Sequence, residues 1–380
     1  MRQNPLRGLE ALGQSIWIDF IRREMILSGE LKRLIEEDGI SGVTSNPSIF
    51  EQAIAESHDY DETIQALTLK GKDSEEVFRS VSVEDIQMVA DLLRPIYDRT
   101  DGQDGFVSLE VSPTLAHDTQ GTIQEARRLW SLVGRANCMI KAPATREGLP
   151  AIEQLTFEGL NINITLLFGL PRYQEVTNAY LMGLERRADQ GKSIGQIASV
   201  ASFFLSRIDT LLDPVIEKQI QAGGPRGELA EHAYGRIAIG SAKVAYQLYK
   251  EIFSNIRFQR LADKGAHTQR LLWASTSTKN PKYSDTKYID PLIGVHTINT
   301  LPVETLAAYR DHGHPEQTLE ENLREAYQVL QDLPALGIDL DQATQQLEDQ
   351  GVEKFTKSLH QLMNALEEKQ ASMHASYNQS

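Results

Sequence analysis

Short apolar runs alternate along this chain with longer segments in which apolar residues recur at helical spacing. That alternation is typical of repeated βα units and of a parallel sheet. The runs predicted as strands are 15–20, 42–44, 106–111, 139–141, 161–165, 197–202, 271–275 and 294–299. Helices are predicted between them, including 30–37, 119–133 and 148–159. Eight strands in strict alternation with helices indicate an α/β fold, a single (β/α)8 TIM-type barrel with extra helices.

Two segments exceed what a barrel requires. Residues 59–99 are predicted to form two or three helices, which is a longer excursion than one crossover needs. Residues 316–370 are also helical in pattern, and apolar side chains at helical spacing predict a last helix that caps or flanks the barrel. These side chains are Val352, Phe355, Leu359, Leu362, Met363 and Leu366. Because no linker rich in Pro, Gly or Ser divides the chain, we expect residues 1–380 to form one domain.

Composition narrows the classes of function. The formal net charge of −15 argues against a nucleic-acid or anionic-membrane binder, so a phosphate site must come from a local cluster of positive groups. A lone cysteine, Cys138, excludes an intrachain disulfide and a cysteine-rich zinc site, and the histidines show no metal-ligand spacing. No apolar run near the N-terminus is long enough for a signal peptide or a membrane span, so a cytoplasmic location is expected.

One apolar run brings a lysine to the end of a predicted strand. Residues 138–148 read Cys-Met-Ile-Lys-Ala-Pro-Ala-Thr-Arg-Glu-Gly, and Lys141 follows the three apolar residues. The Ala-Pro-Ala at 142–144 predicts a break before the next helix. A lysine placed there is partly desolvated, and a neutral amine can attack a carbonyl to form a Schiff base. Lys141 could instead leave the core and point to water, so its interpretation depends on which groups reach the same edge.

Polar residues follow or end most of the predicted strands, which is where a barrel of this type carries its catalytic groups. They are Asp19, Thr44, Asn46, Glu110, Lys141, Asn163, Thr165, Ser202 and Ser275. Taken singly, Asp19 could cap a helix and Asn46 could form a turn. Thr165 could be an ordinary strand residue, and Glu110 could pair with a surface arginine. Taken together, a buried lysine and carboxylates are costly unless they compensate each other. The set therefore indicates a Schiff-base enzyme for a small polyhydroxylated substrate.

Several motifs resemble those of the transaldolases of the pentose phosphate pathway. They are Gly-Val-Thr-Ser-Asn-Pro-Ser at 42–48, Ile-Lys-Ala-Pro-Ala-Thr at 140–145 and Asn-Ile-Asn-Ile-Thr-Leu-Leu-Phe at 161–168. The resemblance runs from residue 16 to about residue 301 and returns in Gly-Val-Glu-Lys-Phe at 351–355. Further stretches at 273–276, 279–281 and 283–285 look like the longer bacterial branch, which also occurs fused to glucose-6-phosphate isomerase.

The resemblance implies catalytic roles for four residues. Lys141 matches the Schiff-base lysine, and Asp19 matches the general acid/base that takes the C4 hydroxyl proton as the carbon–carbon bond breaks. Glu110 and Thr165 match the pair that holds a catalytic water and moves protons as the carbinolamine forms and dehydrates.

It also implies a substrate-binding set, which is Asn46, Asn163, Thr44, Ser202, Phe204, Arg207, Ser275 and Lys279. Asn46 and Asn163 match amides that bind hydroxyls of the retained three-carbon unit. Ser202 and Arg207 match the family's phosphate element, and a guanidinium suits forked binding of phosphate oxygens. Shorter transaldolases carry a second arginine where this chain has 275–279, so Lys279 could replace it or could be a solvated loop lysine.

The expected function is Schiff-base transfer of a dihydroxyacetone unit from sedoheptulose 7-phosphate or fructose 6-phosphate to an aldose phosphate. No metal, organic cofactor, nucleic acid or membrane is implied, and family members are monomers or homodimers. One alternative is a fructose-6-phosphate aldolase, although that group typically has glutamine at Glu110 and tyrosine at Phe204. Another is an inactive barrel that binds sugar phosphates, although such a protein has no use for a desolvated lysine beside two carboxylates.

Overall fold

Eight parallel strands close into a barrel in which each strand pairs with its sequence neighbour and the last pairs with the first. The structure is a computed structural model and describes residues 4–55 and 57–377. The strands are β1 (Gln14–Ile18), β2 (Ile40–Val43), β3 (Phe106–Glu110), β4 (Cys138–Pro143), β5 (Ile162–Leu167), β6 (Ser199–Phe204), β7 (Gln269–Ala274) and β8 (Thr297–Leu301). The predicted (β/α)8 fold is confirmed.

Helices surround the barrel. They are α1 (Pro5–Ala11), α2 (Arg23–Leu27), α3 (Glu30–Arg33), α4 (Pro47–Ala55), α5 (Asp61–Thr68), α6 (Ser74–Arg99), α7 (Thr119–Val133), α8 (Gly148–Glu158), α9 (Leu170–Asp189), α10 (Ser206–Ala222), α11 (Gly224–Ala233), α12 (Ile237–Ser254), α13 (Ile256–Ala262), α14 (Val303–His312), α15 (Leu323–Asp332) and α16 (Leu340–Tyr377). Across the described ranges, no helix combines the length and the apolar composition that crossing a bilayer would require.

The predicted carboxyl ends of the strands differ from the observed ones by one or two residues. β4 continues through Pro143, so Lys141 lies two residues inside the strand rather than at its end. β6 likewise continues through Phe204, which places Ser202 inside a strand. β1 ends at Ile18, one residue before Asp19. The strands of a barrel are tilted and staggered, so residues at one level occupy different positions along their own strands, and local composition does not show this.

The segment 59–99 forms α5 and α6, and α6 supplies the outer layer beside β2 and β3. A buried ionic cluster holds this segment to the chain that follows β1. Nε of Arg23 donates to Asp85 on α6 at 2.8 Å, and the hydroxyl of Tyr60 donates to the same carboxylate at 2.9 Å. Asp85 is completely buried. The excursion therefore contains the crossover helix between β2 and β3, α6, preceded by one shorter helix, α5.

We expect Asp85→Asn to lower the free energy of unfolding by about 3 kcal/mol, because Arg23 would lose its buried counter-charge. Glu84→Gln is the matched control, since Glu84 meets the same guanidinium with a side chain that is 53% exposed. Its loss should cost less than about 1 kcal/mol. Urea unfolding of the three proteins measures the difference, with similar m values expected. Equal effects of the two substitutions would contradict a structural role for the buried pair.

The long helix α16 crosses the carboxyl-terminal side of the barrel. Its 38 residues span about 57 Å, and it packs on α4, α6, α10 and β5. A buried pair ties its start to α9, with Nε of Arg172 3.1 Å from Glu348. Further along, the hydroxyls of Ser48 and Ser358 lie 2.7 Å apart. The helix thus brings residues 351–355 close to the barrel mouth, because a Cβ added to Gly351 would lie 2.8 Å from the side chain of Leu166.

Candidate active site

Glu110, Lys141 and Asn163 lie side by side on β3, β4 and β5, as successive register partners. The side chains of Glu110 and Lys141 are only 6% and 5% exposed. Nζ of Lys141 lies 3.3 Å from Oε2 of Glu110 and donates a hydrogen bond of 3.1 Å to the carbonyl of Ser45. The barrel therefore holds an amine and a carboxylate together in its interior, where both are almost completely buried.

Burial raises the pKa of Glu110, because its charged form is poorly solvated there; the nearby charge of Lys141 acts in the opposite direction. Oε2 of Glu110 meets Lys141 as an ion pair and has no aligned hydrogen bond among the described residues. Oγ1 of Thr165, which is fully buried, has no hydrogen-bond partner in the described ranges either. Buried polar atoms usually have partners. Oγ1 of Thr165, on the strand next to β4, is thus available for a reacting group, while the Glu110 carboxylate on the other neighbouring strand faces the ammonium of Lys141.

The backbone beside Thr165 has an unusual conformation. Leu166 has a φ of +56°, and the pairing of β5 with β6 shifts register between Ile164 and Leu167. A bulge of this kind re-aims a side chain, and a non-glycine residue in the left-handed region costs free energy that functional sites often carry. The local sequence, with its branched apolar residues, gives no sign of it.

A chain of hydroxyl groups leads to Asp19. Oγ1 of Thr44 donates to Oδ1 of Asp19 at 2.6 Å. Since that proton is committed, the hydroxyl of Thr300, 2.8 Å away, donates to Thr44. Asp19 lies one residue beyond β1 and is only partly buried. Thr44 therefore orients the Asp19 carboxylate, and its predicted contact with the substrate stays a prediction.

The amide of Asn163 is held by its neighbours. Its Nδ2 donates to Oγ of Ser108 at 3.0 Å, and its Oδ1 accepts a bond of 2.6 Å from Ser202. Asn163, Ser108 and Ser202 are all buried. Asn46 caps the N-terminus of α4. Its Oδ1 accepts hydrogen bonds from the backbone N–H groups of Ser48 and Ile49. That arrangement leaves the NH₂ of Asn46 without a described partner.

Arg207 lies in the first turn of α10, immediately beyond β6. Its Cζ is 5.5 Å from the ring of Phe204 and 5.7 Å from the ring of Phe355 on α16. Burial lowers the pKa of Arg207, while the charges of Asp19 and Glu110 oppose that shift. No described carboxylate lies within ion-pair distance of it. A guanidinium at a helix N-terminus without a counter-ion is a ready site for a phosphate.

The loop after β7 carries Ser275 and Lys279. Ser275 has a φ of +54°, and its hydroxyl lies 2.9 Å from that of Ser206. Lys279 is exposed, and its Nζ donates to Oγ of Ser277 at 2.5 Å. No contact joins either residue to Lys141 within the described parts of the chain. The sequence prediction that both bind substrate stays a prediction.

Similarity to known proteins covers almost the whole chain. A family model described as Transaldolase/Fructose-6-phosphate aldolase matches residues 16–366. The chain belongs to this family. It is 48% identical over 374 residues to transaldolase 2 of Nostoc sp., an alignment that covers 97% of this chain and 98% of that protein. It is 47% identical over 373 residues to a transaldolase of Trichodesmium erythraeum, with 97% and 98% covered.

A transaldolase of Thiobacillus denitrificans is 46% identical over 360 residues, covering 95% of this chain and 99% of that protein. The predicted resemblance to transaldolases is confirmed, and these relatives support transaldolase function, which is a transferase activity. Nothing in the comparisons bears on a fused isomerase domain.

Within this transaldolase-family barrel, the structure brings together most of the residues that the sequence selected. Contacts join Asp19 with Thr44, Glu110 with Lys141, Asn163 with Ser202, and Phe204 with Arg207. Sequence reasoning missed Thr300, Ser108 and the residues of α16 that reach Arg207. Of these, only the residues of α16 could have been found from the sequence, through the short Gly-Val-Glu-Lys-Phe motif at 351–355. In the described ranges, His, Cys, Asp and Glu side chains do not gather in threes suited to a metal ion.

Proposed function

We propose that this chain transfers a dihydroxyacetone unit from sedoheptulose 7-phosphate or fructose 6-phosphate to an aldose phosphate such as glyceraldehyde 3-phosphate or erythrose 4-phosphate. Lys141 forms the Schiff base. The observation that carries the proposal is the buried pair of Lys141 and Glu110, 3.3 Å apart inside the barrel. A buried ion pair is costly to maintain for stability alone, and a buried amine beside a carboxylate suits proton transfer at a reacting carbonyl.

Glu110 acts in the formation of the Schiff base. It takes a proton from the ammonium of Lys141, which becomes the neutral amine and attacks C2 of the ketose. The carbinolamine hydroxyl then leaves as water with a proton from Glu110. Burial, which raises the pKa of Glu110, favours its protonated form at that step. Thr165, whose Oγ1 is uncommitted, holds the departing water.

Asp19 acts in the cleavage of the carbon–carbon bond. It removes the proton of the C4 hydroxyl, the C3–C4 bond breaks, and an aldose phosphate leaves. The electron pair moves to C3 and is delocalised to the iminium nitrogen on Lys141. An acceptor aldehyde then adds at C3, and its new hydroxyl takes the proton back from Asp19. The bond from Thr44 to Asp19 keeps the carboxylate in place for both steps.

The remaining groups bind the substrate. The NH₂ of Asn46 and the amide of Asn163, aligned by Ser202, meet hydroxyls of the three-carbon unit. Arg207 and the N-terminus of α10 meet the phosphate, since both are positive and the guanidinium has no described counter-ion. The ring of Phe204 packs against Phe168, 5.1 Å between centroids, and borders this space.

Reduction with borohydride in the presence of fructose 6-phosphate tests the proposal. A three-carbon adduct should appear on Lys141, and trypsin, which cannot cut after the modified residue, should release it within residues 136–146. An unmodified protein that still turns over substrate would overturn the mechanism. Release of free dihydroxyacetone at the rate of transfer, without an acceptor, would assign the chain to the aldolase branch of the family instead.

A further inference from the structure

Three cations lie near the barrel mouth without acidic partners. They are Arg207 on α10, Lys279 on the loop after β7, and Lys354 on α16. Within the described ranges, no carboxylate lies within 4.0 Å of any of them, while most other arginines and many lysines of the chain are paired. The chain as a whole carries a formal net charge of −15. Unpaired cations gathered on such an acidic protein indicate the binding place of an anion.

Lys354 is placed by its neighbours on α16. A Cβ added to Gly351 would lie 3.7 Å from Nη1 of Arg207, and the ring of Phe355 lies 5.7 Å from its Cζ. Residues three apart on a helix share one face, so Lys354 lies one turn beyond Gly351 and next to Phe355 on the side that meets Arg207. Unlike Phe355, which is buried, Lys354 is exposed.

The electrostatics agree with this placement. The positive charge of Arg207, followed by burial and by the charge of Lys279, lowers the pKa of Lys354. An anion between these groups would relieve that repulsion, and no described side chain does so.

We propose that Lys354 binds the phosphate of the sugar substrate together with Arg207, so that α16 forms one wall of the phosphate site. This inference rests on the proposed function and deepens it. The second cation of the phosphate site is then Lys354 on α16 and not Lys279. Nζ of Lys279 already donates to Ser277, whereas the ammonium of Lys354 has no hydrogen-bond acceptor in the described ranges.

Four variants test the assignment: Lys354→Gln, Lys354→Arg, Lys279→Gln and Lys357→Gln. Lys357 is the matched control, since it is an exposed lysine of the same helix and, in the described ranges, no contact joins it to Arg207. For Lys354→Gln we expect KM for fructose 6-phosphate to rise about tenfold, with kcat within about twofold of the parent. Binding of inorganic phosphate, measured by thermal shift without turnover, should weaken similarly. Lys354→Arg should keep KM and phosphate binding close to those of the parent, because it keeps the positive charge. Lys357→Gln should change neither KM nor phosphate binding.

Trapping with dihydroxyacetone and borohydride separates this proposal from the proposed function. Dihydroxyacetone carries no phosphate, so its adduct on Lys141 should form equally fast in the parent and in Lys354→Gln. Unchanged KM and unchanged phosphate binding in Lys354→Gln would overturn the role of Lys354, most clearly if Lys279→Gln lost both. A parent protein that forms no adduct would overturn the proposed function alone, because the phosphate measurement would still decide on Lys354.

Discussion

Replacement of Lys141 by arginine should lower kcat for transfer of the three-carbon unit by at least about 10⁴-fold. A guanidinium stays protonated and cannot act as the attacking amine, so no Schiff base can form. Arginine does retain the positive charge beside Glu110 at the position where Nζ of Lys141 lies 3.3 Å from Oε2. The substitution therefore removes the covalent step and leaves the charge balance of the site. A coupled assay of aldose phosphate release measures the loss, and borohydride should trap no adduct.

Lys243→Arg is the control for that experiment. Lys243 lies on α12, far from Lys141 in sequence, and is also buried. Its Nζ donates hydrogen bonds to the carbonyls of Thr318 and Glu321. Its replacement should leave kcat within a few-fold of the parent. Transfer by Lys141→Arg at a tenth of the parental rate or faster would mean that Lys141 is not the nucleophile.

Replacement of Glu110 by glutamine should have the second largest effect, a fall in kcat of about 10²–10³-fold. The amide keeps the size of the side chain but can neither take a proton from Lys141 nor return one to the carbinolamine. The pH dependence should change as well. The ionised form of Glu110 is needed to deprotonate Lys141, and burial raises its pKa. Activity of the parent should therefore fall on acidification at a pH above that of an ordinary glutamate, and Glu110→Gln should lack this acid limb.

Glu125→Gln is the matched control, because burial also raises the pKa of Glu125, which lies on α7 outside the barrel. Profiles of kcat/KM against pH for the three proteins give the result. An acid limb that persists unchanged in Glu110→Gln would assign it to another group, with Asp19 the next to be replaced. Loss of the limb in Glu125→Gln would show that it reports on stability rather than on the proton transfer.

Much of the barrel could be predicted because its pattern is local. Each strand is an apolar run bounded by turn residues, and each helix shows its own period, so no knowledge of distant contacts is needed. The predicted helix at 119–133 coincides with α7, and all eight predicted runs overlap observed strands. Errors lie at strand ends, as at Lys141 and Ser202, because the stagger of a closed barrel depends on all its strands at once.

The sequence by itself determined the alternation of strands and helices, the family, and the residue types that the chemistry requires, Lys141 and Glu110 among them. Each follows from short-range composition or from a contiguous motif. Only the tertiary structure decided how these groups are arranged. Thr300 reaches Thr44 across 256 residues of sequence, and α16 returns to cover Arg207 from beyond position 340. Such contacts depend on where the closed barrel places remote segments, and no local pattern encodes that position.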